Sequence, residues 1–319
     1  MGYTQGYKVN ITNYIKILRP KNLALIAISQ TIFYYFLILP ALENASLSPQ
    51  LDIFHFILFV LCTMSIAGAG YVINDLLDID IDPINKPQQA YIGYGINIRN
   101  GWIFYYSVIV LGTILAIYLA WHINKISLLA IYPIATASLY YYSRSLKSKI
   151  FIGNLVVAVF CGFVTAILLL SEPQLIKGYY ANIKIKEVTN IIISYSIFGL
   201  MINLLREICK DLEDMEGDGS AQLNTMPLVK GINFTKKVFQ SILIILITGI
   251  FIWGFILTDG DFRSKTFFCI FIIAPLGILF SHMGQAKDKV HYGKISGLLK
   301  MVMATAIIYI LLFKSGITI

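Results

Sequence analysis

Apolar runs of about 17 to 22 residues recur between residues 23 and 313, and no other feature constrains the fold as strongly. Runs of this length are long enough to cross the hydrocarbon core of a bilayer as helices. Backbone groups in hydrocarbon must be hydrogen-bonded internally, and these runs lack the alternating pattern of an outer-membrane barrel. We therefore predict an all-α, polytopic membrane protein with a single domain over residues 1–319.

The runs predict nine transmembrane helices, at residues 23–40, 53–74, 101–121, 126–142, 151–170, 189–208, 237–257, 266–283 and 295–313. Basic residues favour cytoplasmic loops. Nine spans place 17 Lys and Arg residues, beginning with Lys8, on the side of the N-terminus, and 7, ending with Lys314, on the other. The N-terminus should be cytoplasmic and the C-terminus outside. This topology, with some attraction to anionic membrane lipids, accounts for the formal charge of +8, so no nucleic-acid partner is indicated.

Negative charge is concentrated where the second run ends, in the stretch NDLLDIDIDPINKP. If the helix continues into this stretch, Asn74, Asp78 and Asp82 fall at positions i, i+4 and i+8 and share a face. Asp75 lies one position round from that face, and Pro83 limits how far a regular helix can run.

A second acidic cluster follows the sixth run, in the stretch LLREICKDLEDMEGDGS. Four acidic residues recur there at i, i+4, i+7 and i+11, the period of one helical stripe: Glu207, Asp211, Asp214 and Asp218. Either cluster alone fits a solvated loop equally well. In the predicted topology, however, both lie at cytoplasmic helix ends, so the two stripes could face each other across one cavity.

Two acidic stripes favour a bound cation. Like charges about 4 Å apart repel by roughly 4 kcal/mol at an effective dielectric of about 20. Oxygen ligands without His or Cys suit Mg²⁺, which takes one or two carboxylates and completes its shell with water and substrate phosphates. The clusters therefore predict a phosphate-bearing substrate that is bound through metal ions at the membrane surface.

Basic residues accompany both acidic clusters. Arg206 and Lys210 are interleaved with the second stripe, and the stretch YSRSLK at the end of the fourth run contains Arg144 and Lys147. We predict that Lys147, Arg206 and Lys210 bind phosphate, whereas Lys149 only reflects the cytoplasmic location of its loop.

The two motifs, NDxxDxxxD and a later DxxxD pair, resemble those of the UbiA superfamily of intramembrane prenyltransferases. The resemblance covers nearly the whole chain and implies nine helices around a central cavity. The stretches RExxKDxEDxEGD, TMPLVKG, YSRSLK and IGN are most similar to the digeranylgeranylglyceryl phosphate synthase branch. Members of that branch move a geranylgeranyl group from its diphosphate to the hydroxyl of a prenylated glycerol phosphate in ether-lipid synthesis.

The resemblance also implies roles for individual residues. Two Mg²⁺ ions would be held by Asn74, Asp78 and Asp82 and by Asp214 and Asp218, with Asp75, Glu207 and Asp211 as further ligands, direct or through water. Leaving-group charge would be taken up by Lys147, Arg206 and Lys210. Substrate contacts are expected from Asn74, Tyr71, Tyr142, Arg144 and Asn154, the two tyrosines offering ring faces to an allylic cation. Asn154 would equally well satisfy a neighbouring helix.

Two departures from the branch pattern leave other activities open. A basic residue and a second proline often follow the first motif, where this chain has Gln89 and Ala90, and an Arg often stands where it has Asn224. An aromatic prenyltransferase of quinone or haem synthesis and a UbiA-type terpene cyclase keep the same fold. A divalent-cation transporter is a further alternative, but it predicts acidic residues near the membrane midplane.

Overall fold

The computed structural model describes residues 11–257 and 262–313, and within these ranges the regular structure is helical, without strands. The α-helices are α1 (Ile11–Ile17), α2 (Pro20–Phe33), α3 (Leu39–Asn44), α4 (Ile53–Leu77), α5 (Asp82–Asn85), α6 (Ile98–His122), α7 (Ile131–Arg144), α8 (Ile152–Ser171), α9 (Pro173–Lys177), α10 (Ile183–Glu213), α11 (Met215–Ser220), α12 (Met226–Lys230), α13 (Ile232–Phe251), α14 (Phe262–Phe268), α15 (Ala274–Gln285) and α16 (Lys289–Phe313). Short 3-10 helices occupy Pro87–Gln89, Ile126–Ala130 and Leu146–Ser148.

Several long helices begin at the polar residues that favour helix starts. The side chain of Asp52 accepts a hydrogen bond from the backbone N–H of His55 at the start of α4. Asn97 accepts from Arg99 at the start of α6, and Asn182 does so from the first residues of α10. Each cap satisfies backbone donors that have no partner inside the helix, which contributes about 1 kcal/mol.

Three π-helical segments continue long apolar helices, at Tyr34–Ile38, Ile252–Leu257 and Cys269–Ile273. In two cases a proline follows the segment by two residues, Pro40 and Pro275. A proline inside a helix removes one hydrogen bond and clashes with the preceding turn. The wider π turn accommodates this defect and lets the helix continue, as membrane helices require.

Eight helical segments among the described residues are long and apolar enough to cross a membrane: Pro20–Asn44, Ile53–Leu77, Ile98–His122, Ile152–Ser171, Ile183–Glu213, Ile232–Ile256, Phe262–Gln285 and Lys289–Leu312. The prediction of an all-α polytopic membrane protein is confirmed, but the count of nine is not reproduced. The predicted fourth span divides into the 3-10 helix Ile126–Ala130 and the 14-residue helix α7, which is too short alone. Lys8 and Lys314, used in the topology prediction, lie outside the described residues.

The described chain forms two compact units. The first comprises residues up to Ile28 and Gln50–Lys147, so it contains α1, α4, α6 and α7. In it α4 packs against α6 and α7, and α1 packs against the end of α4. Buried side chains join these elements: Ile17, Ala69, Val72, Ile73, Leu76, Ile92, Ile96 and Tyr105.

The second unit comprises Ser29–Pro49 and the chain from Ser148 onward. Its centre is the long helix α10, which packs most extensively against α8 and also against α13 and α16. At the crossing with α8, Gly162 lies so close to α10 that a Cβ atom on it would be 2.6 Å from the carbonyl oxygen of Ser196. The prediction of a single domain over residues 1–319 stays a prediction.

Candidate active site

The first acidic motif lies at the end of α4, in the first unit. The helix ends at Leu77, Asp78 follows as its C-terminal cap, and Asp82 starts the short helix α5. The backbone N–H of Asp82 still donates to the carbonyl of Asp78 at 2.8 Å, so the chain keeps turning. Pro83 stands in the first turn of α5, where its missing N–H costs no helical hydrogen bond. The three predicted ligands are therefore close in sequence and in space, but they do not share one regular helix.

Asp78 is buried and has two partners in the first unit. The side-chain amide of Asn74 donates to Asp78 Oδ2 at 2.9 Å, and the ammonium group of Lys147 forms an ion pair with Asp78 Oδ1. Lys147 comes from the 3-10 turn after α7. The structure therefore brings Lys147 next to two residues of the first acidic motif, Asn74 and Asp78, from which it is distant in sequence.

Asp75 has a different partner. Its carboxylate accepts a hydrogen bond at 2.8 Å from the guanidinium group of Arg19, which lies between α1 and α2. The same guanidinium carbon is 4.8 Å from the centroid of the Tyr71 ring. One face of Tyr71, predicted to shield an allylic cation, is thus occupied by a protein cation. In the topology prediction Arg19 is only one of the 17 basic residues on the side of the N-terminus, and its place before Pro20 in the sequence gives no sign of this contact.

The remaining residues of the first unit occupy less informative positions. Tyr142 is half-buried on α7, and Arg144 is exposed at its C-terminal end, where a positive charge is favourable. Asp80 is exposed in the turn between α4 and α5. The predicted substrate contacts of Tyr142 and Arg144 stay predictions.

The second acidic motif lies at the end of α10, in the second unit. The helix ends at Glu213, Asp214 caps it, and the next helix, α11, carries Asp218. The backbone N–H of Asp218 donates to the carbonyl of Asp214 at 3.0 Å, so both residues lie on consecutive turns. Asp218 is buried, whereas Glu216, off the stripe, is exposed.

Polar side chains contact the two residues of the acidic stripe that precede Asp214, namely Asp211 and Glu207. The amide of Asn154 on α8 donates to Asp211 Oδ2 at 2.9 Å. The ammonium group of Lys210 pairs with Glu207 Oε1 one turn earlier on α10. Asn154, for which a cavity-facing role and a helix-satisfying role were both expected, therefore contacts the neighbouring helix.

Arg206 is oriented by a side chain of its own helix, α10. Its Nη1 atom donates to Asn203 Oδ1 at 2.9 Å, and Asn203 in turn donates to the carbonyl of Gly199. Among the described residues, the guanidinium group is therefore oriented by a neutral amide and not by a carboxylate. This arrangement keeps its positive charge available to an anion.

The donor set at both motifs suits a hard divalent cation. Within residues 11–257 and 262–313, no three His, Cys, Asp or Glu side chains lie close enough together to hold a metal ion by themselves. Mg²⁺ does not need such a cage, because it takes one or two carboxylates and fills its octahedron with water and substrate phosphate oxygens. The buried carboxylate of Asp78, beside an amide oxygen and a lysine, and the paired Asp214 and Asp218 fit that requirement.

Comparison with known proteins agrees with this reading. Residues 33–297 match the model of the UbiA prenyltransferase family. A digeranylgeranylglyceryl phosphate synthase from Methanosphaera stadtmanae is 29% identical over 300 residues, which cover 92% of this chain and 96% of that protein. Another, from Methanobrevibacter smithii, is 31% identical and covers 73% of this chain and 74% of its own length.

Solved structures show the same fold. A structure described as a digeranylgeranylglyceryl phosphate synthase in membranes has a TM-score of 0.64 and 22% identity, covering 96% of this chain and 98% of that one. A UbiA homologue from Archaeoglobus fulgidus bound to GPP and Mg²⁺ has a TM-score of 0.58 and 16% identity, covering 93% and 99%. Fold and family together define the class of this protein as an integral-membrane prenyltransferase. The chain belongs to the UbiA prenyltransferase family.

Proposed function

We propose that the protein transfers a geranylgeranyl group from its diphosphate to the hydroxyl of a prenylated glycerol phosphate, in a reaction that requires Mg²⁺. The observation that carries the proposal is the match, over nearly the full length of both chains, to a digeranylgeranylglyceryl phosphate synthase. The buried carboxylates and the cations beside them supply the chemistry that such a reaction needs.

The acidic residues would bind the diphosphate through metal. Asn74, Asp78 and Asp82 would hold one Mg²⁺, and Asp214 and Asp218 the other, with Asp75, Glu207 and Asp211 as further ligands through water. When bound, Mg²⁺ supplies electrostatic stabilisation of the negative charge that the leaving diphosphate develops. The contacts of Asp75, Glu207 and Asp211 with Arg19, Lys210 and Asn154 favour a supporting role for these three over direct ligation.

Three basic residues would act directly on the leaving group. Lys147 already lies against Asp78, so a diphosphate bound through this carboxylate would meet its ammonium group. Arg206 and Lys210 offer further N–H donors from α10. Fixed cations of this kind stabilise a developing anion without reorganisation during the reaction.

The transfer itself forms one bond and breaks one. The hydroxyl oxygen of the acceptor bonds to C1 of the prenyl group, while the bond between C1 and the diphosphate oxygen breaks and its electron pair leaves with the diphosphate. The hydroxyl proton is taken up by an oxygen of the departing diphosphate, so the step balances without water. The ring of Tyr142 would stabilise positive charge at C1, and the surrounding apolar helices exclude the water that would otherwise capture it.

Pyrophosphate release from geranylgeranyl diphosphate tests the proposal. The purified protein is assayed with Mg²⁺, with and without geranylgeranylglyceryl phosphate, and with EDTA as the metal-free control. We expect release only when both Mg²⁺ and the glycerol phosphate are present. Release without any acceptor would instead identify a cyclase or a hydrolase, and release only with a phenolic or quinone-precursor acceptor would identify an aromatic prenyltransferase.

A further inference from the structure

Two basic residues from other segments, Lys147 and Arg19, contact the end of α4. Asn74 and Asp78, one helical turn apart, face Lys147. Tyr71 and Asp75, also one turn apart, face Arg19. Positions 71, 74, 75 and 78 follow the i, i+3, i+4, i+7 pattern of one helix face, within which the two pairs are rotated by about 60°. The contacts with Arg19 and with Lys147 therefore mark two neighbouring positions for an anion on this face, each with its own basic residue.

Arg19 is held in an unusual backbone conformation. Its φ angle is +53°, in the left-handed region that residues other than glycine seldom adopt. It falls between α1 and α2, where a glycine would relieve the strain. A strained residue at such a position is a reason to look for a function of its side chain.

The guanidinium group of Arg19 is oriented but not enclosed. Asp75 is the acceptor of its side-chain hydrogen bond among the described residues, through Nη2. A guanidinium group has five N–H donors, and 39% of the Arg19 side chain is exposed. Asp75 and the Tyr71 ring fix the plane of the group, which leaves further N–H donors without a side-chain acceptor among the described residues. Arg–phosphate pairs use two parallel hydrogen bonds from one edge of such a group.

Arg19 carries a positive charge, because a guanidinium group is not deprotonated in proteins. Burial by itself would lower the pKa of Arg19, but the negative charges of Asp75 and Asp82, together with Tyr71, outweigh burial and raise that pKa.

The segment before Arg19 has the character of a membrane interface. α1 exposes Ile11 and Ile15, one turn apart, to 71% and 52%, and Lys16 beside them is also exposed. Exposed aliphatic side chains next to basic residues are typical of helices that lie at the level of lipid head groups. An anion bound by Arg19 would then belong to a molecule anchored in the bilayer.

We infer that Arg19 binds the phosphate of the lipid acceptor, while the group formed by Asn74, Asp78 and Lys147 serves the prenyl diphosphate. This inference rests on the proposed function, in which two anionic lipids must be bound side by side. It makes Arg19 a residue that determines specificity for a phosphorylated acceptor and leaves Asp75 to orient it.

The test compares a phosphorylated with an uncharged acceptor. KM and kcat are measured for geranylgeranylglyceryl phosphate and for geranylgeranylglycerol, with the wild type and with Arg19→Gln. We expect Arg19→Gln to raise KM for the phosphorylated acceptor at least about tenfold, the effect of losing hydrogen bonds to a charged group. KM for the uncharged acceptor and for geranylgeranyl diphosphate should stay within about twofold. Lys21→Gln, at an exposed lysine two residues away, is the matched control and should change none of these values.

Four outcomes would overturn the inference. An equal loss with both acceptors would give Arg19 a purely structural role, and a raised KM for geranylgeranyl diphosphate would assign it to the donor. An unchanged KM for the phosphorylated acceptor in Arg19→Gln, with normal wild-type turnover, would overturn the inference but leave the proposed function intact. Absence of wild-type turnover with any glycerol phosphate would overturn both.

A second variant keeps the test informative if Arg19→Gln does not fold. Arg19→Lys retains the charge that Asp75 needs but offers a single ammonium group in place of a planar edge. We expect its KM for the phosphorylated acceptor to rise several-fold and its melting temperature to match the wild type. An unchanged KM in this variant counts against paired hydrogen bonds to phosphate.

Discussion

At the scale of single residues, burial separates Asp78 from its near neighbour Asp80. Asp78 is 8% exposed and contacts Asn74 and Lys147, whereas Asp80 is exposed in the turn that follows. Asp78 and Asp80 therefore have different environments although they are two residues apart. Of these two, Asp78 is the one that fits a metal-assisted reaction with the diphosphate.

This difference gives a matched pair of substitutions. We expect Asp78→Asn to lower kcat by at least about 10²-fold, because it removes charge where the leaving diphosphate must be stabilised. Asp80→Asn should stay within about twofold of the wild type. Turnover is measured by pyrophosphate release, and melting temperatures in detergent establish that both variants fold. Near-normal turnover of Asp78→Asn would contradict the metal assignment at the first motif.

At the scale of elements, the crossing of α8 and α10 positions the second motif. At Gly162 the helices are so close that an added Cβ would lie 2.6 Å from the backbone of Ser196 and 3.0 Å from the Leu200 side chain. Two turns nearer the helix start, Asn154 on α8 holds Asp211 on α10. Close packing and a polar contact thus fix the same pair of helices.

We expect Gly162→Ala to destabilise the protein by about 1–3 kcal/mol, because the neighbouring atom is backbone and cannot move aside. Gly249→Ala is the matched control, since no atom lies within 4 Å of the Cβ position in α13. Alanine there should be neutral or stabilising by up to about 1 kcal/mol, through helix propensity. Melting temperatures in detergent measure both effects. An equal response of the two variants would show that the α8–α10 contact does not limit stability.

At the scale of the whole molecule, the segment Ile126–Arg144 decides the topology. Five residues of 3-10 helix and 14 of α-helix rise by roughly 31 Å together, about the thickness of the hydrocarbon core. If this segment crosses, four crossings separate the two acidic motifs, which then lie on the same side of the membrane. If it does not, three crossings separate them and the proposed reaction fails. The proposed reaction therefore requires the ninth crossing.

Labelling with a membrane-impermeant maleimide tests this requirement. Asp80→Cys, Gln222→Cys and Tyr180→Cys place reactive groups at exposed positions after α4, after α11 and before α10. In intact cells we expect labelling at position 180 alone, with positions 80 and 222 becoming reactive only after lysis. Labelling of only one of positions 80 and 222 in intact cells would show that Ile126–Arg144 does not cross. The native cysteines, replaced by serine where tolerated, provide the background control.

The fold class could be predicted from the sequence because it depends on local properties. Long apolar runs require helices, and eight of the nine predicted spans correspond to long helices among the described residues. The fourth predicted span does not correspond to one long helix. Hydrophobicity does not distinguish a continuous helix from a 3-10 helix followed by a shorter α-helix. Both acidic motifs were recognisable from their spacing, and the family they indicated is confirmed.

The sequence by itself determined that this chain is a membrane-embedded helical prenyltransferase with acidic residues at two helix ends. Only the tertiary structure decided which cation meets which carboxylate: Arg19 with Asp75 across 56 positions of sequence, Lys147 with Asp78, and Asn154 with Asp211 across 57. The physical reason is that helical periodicity places side chains on a face of their own helix. The partners on that face depend on how other helices pack against it, and this is set by long-range contacts that no local pattern encodes.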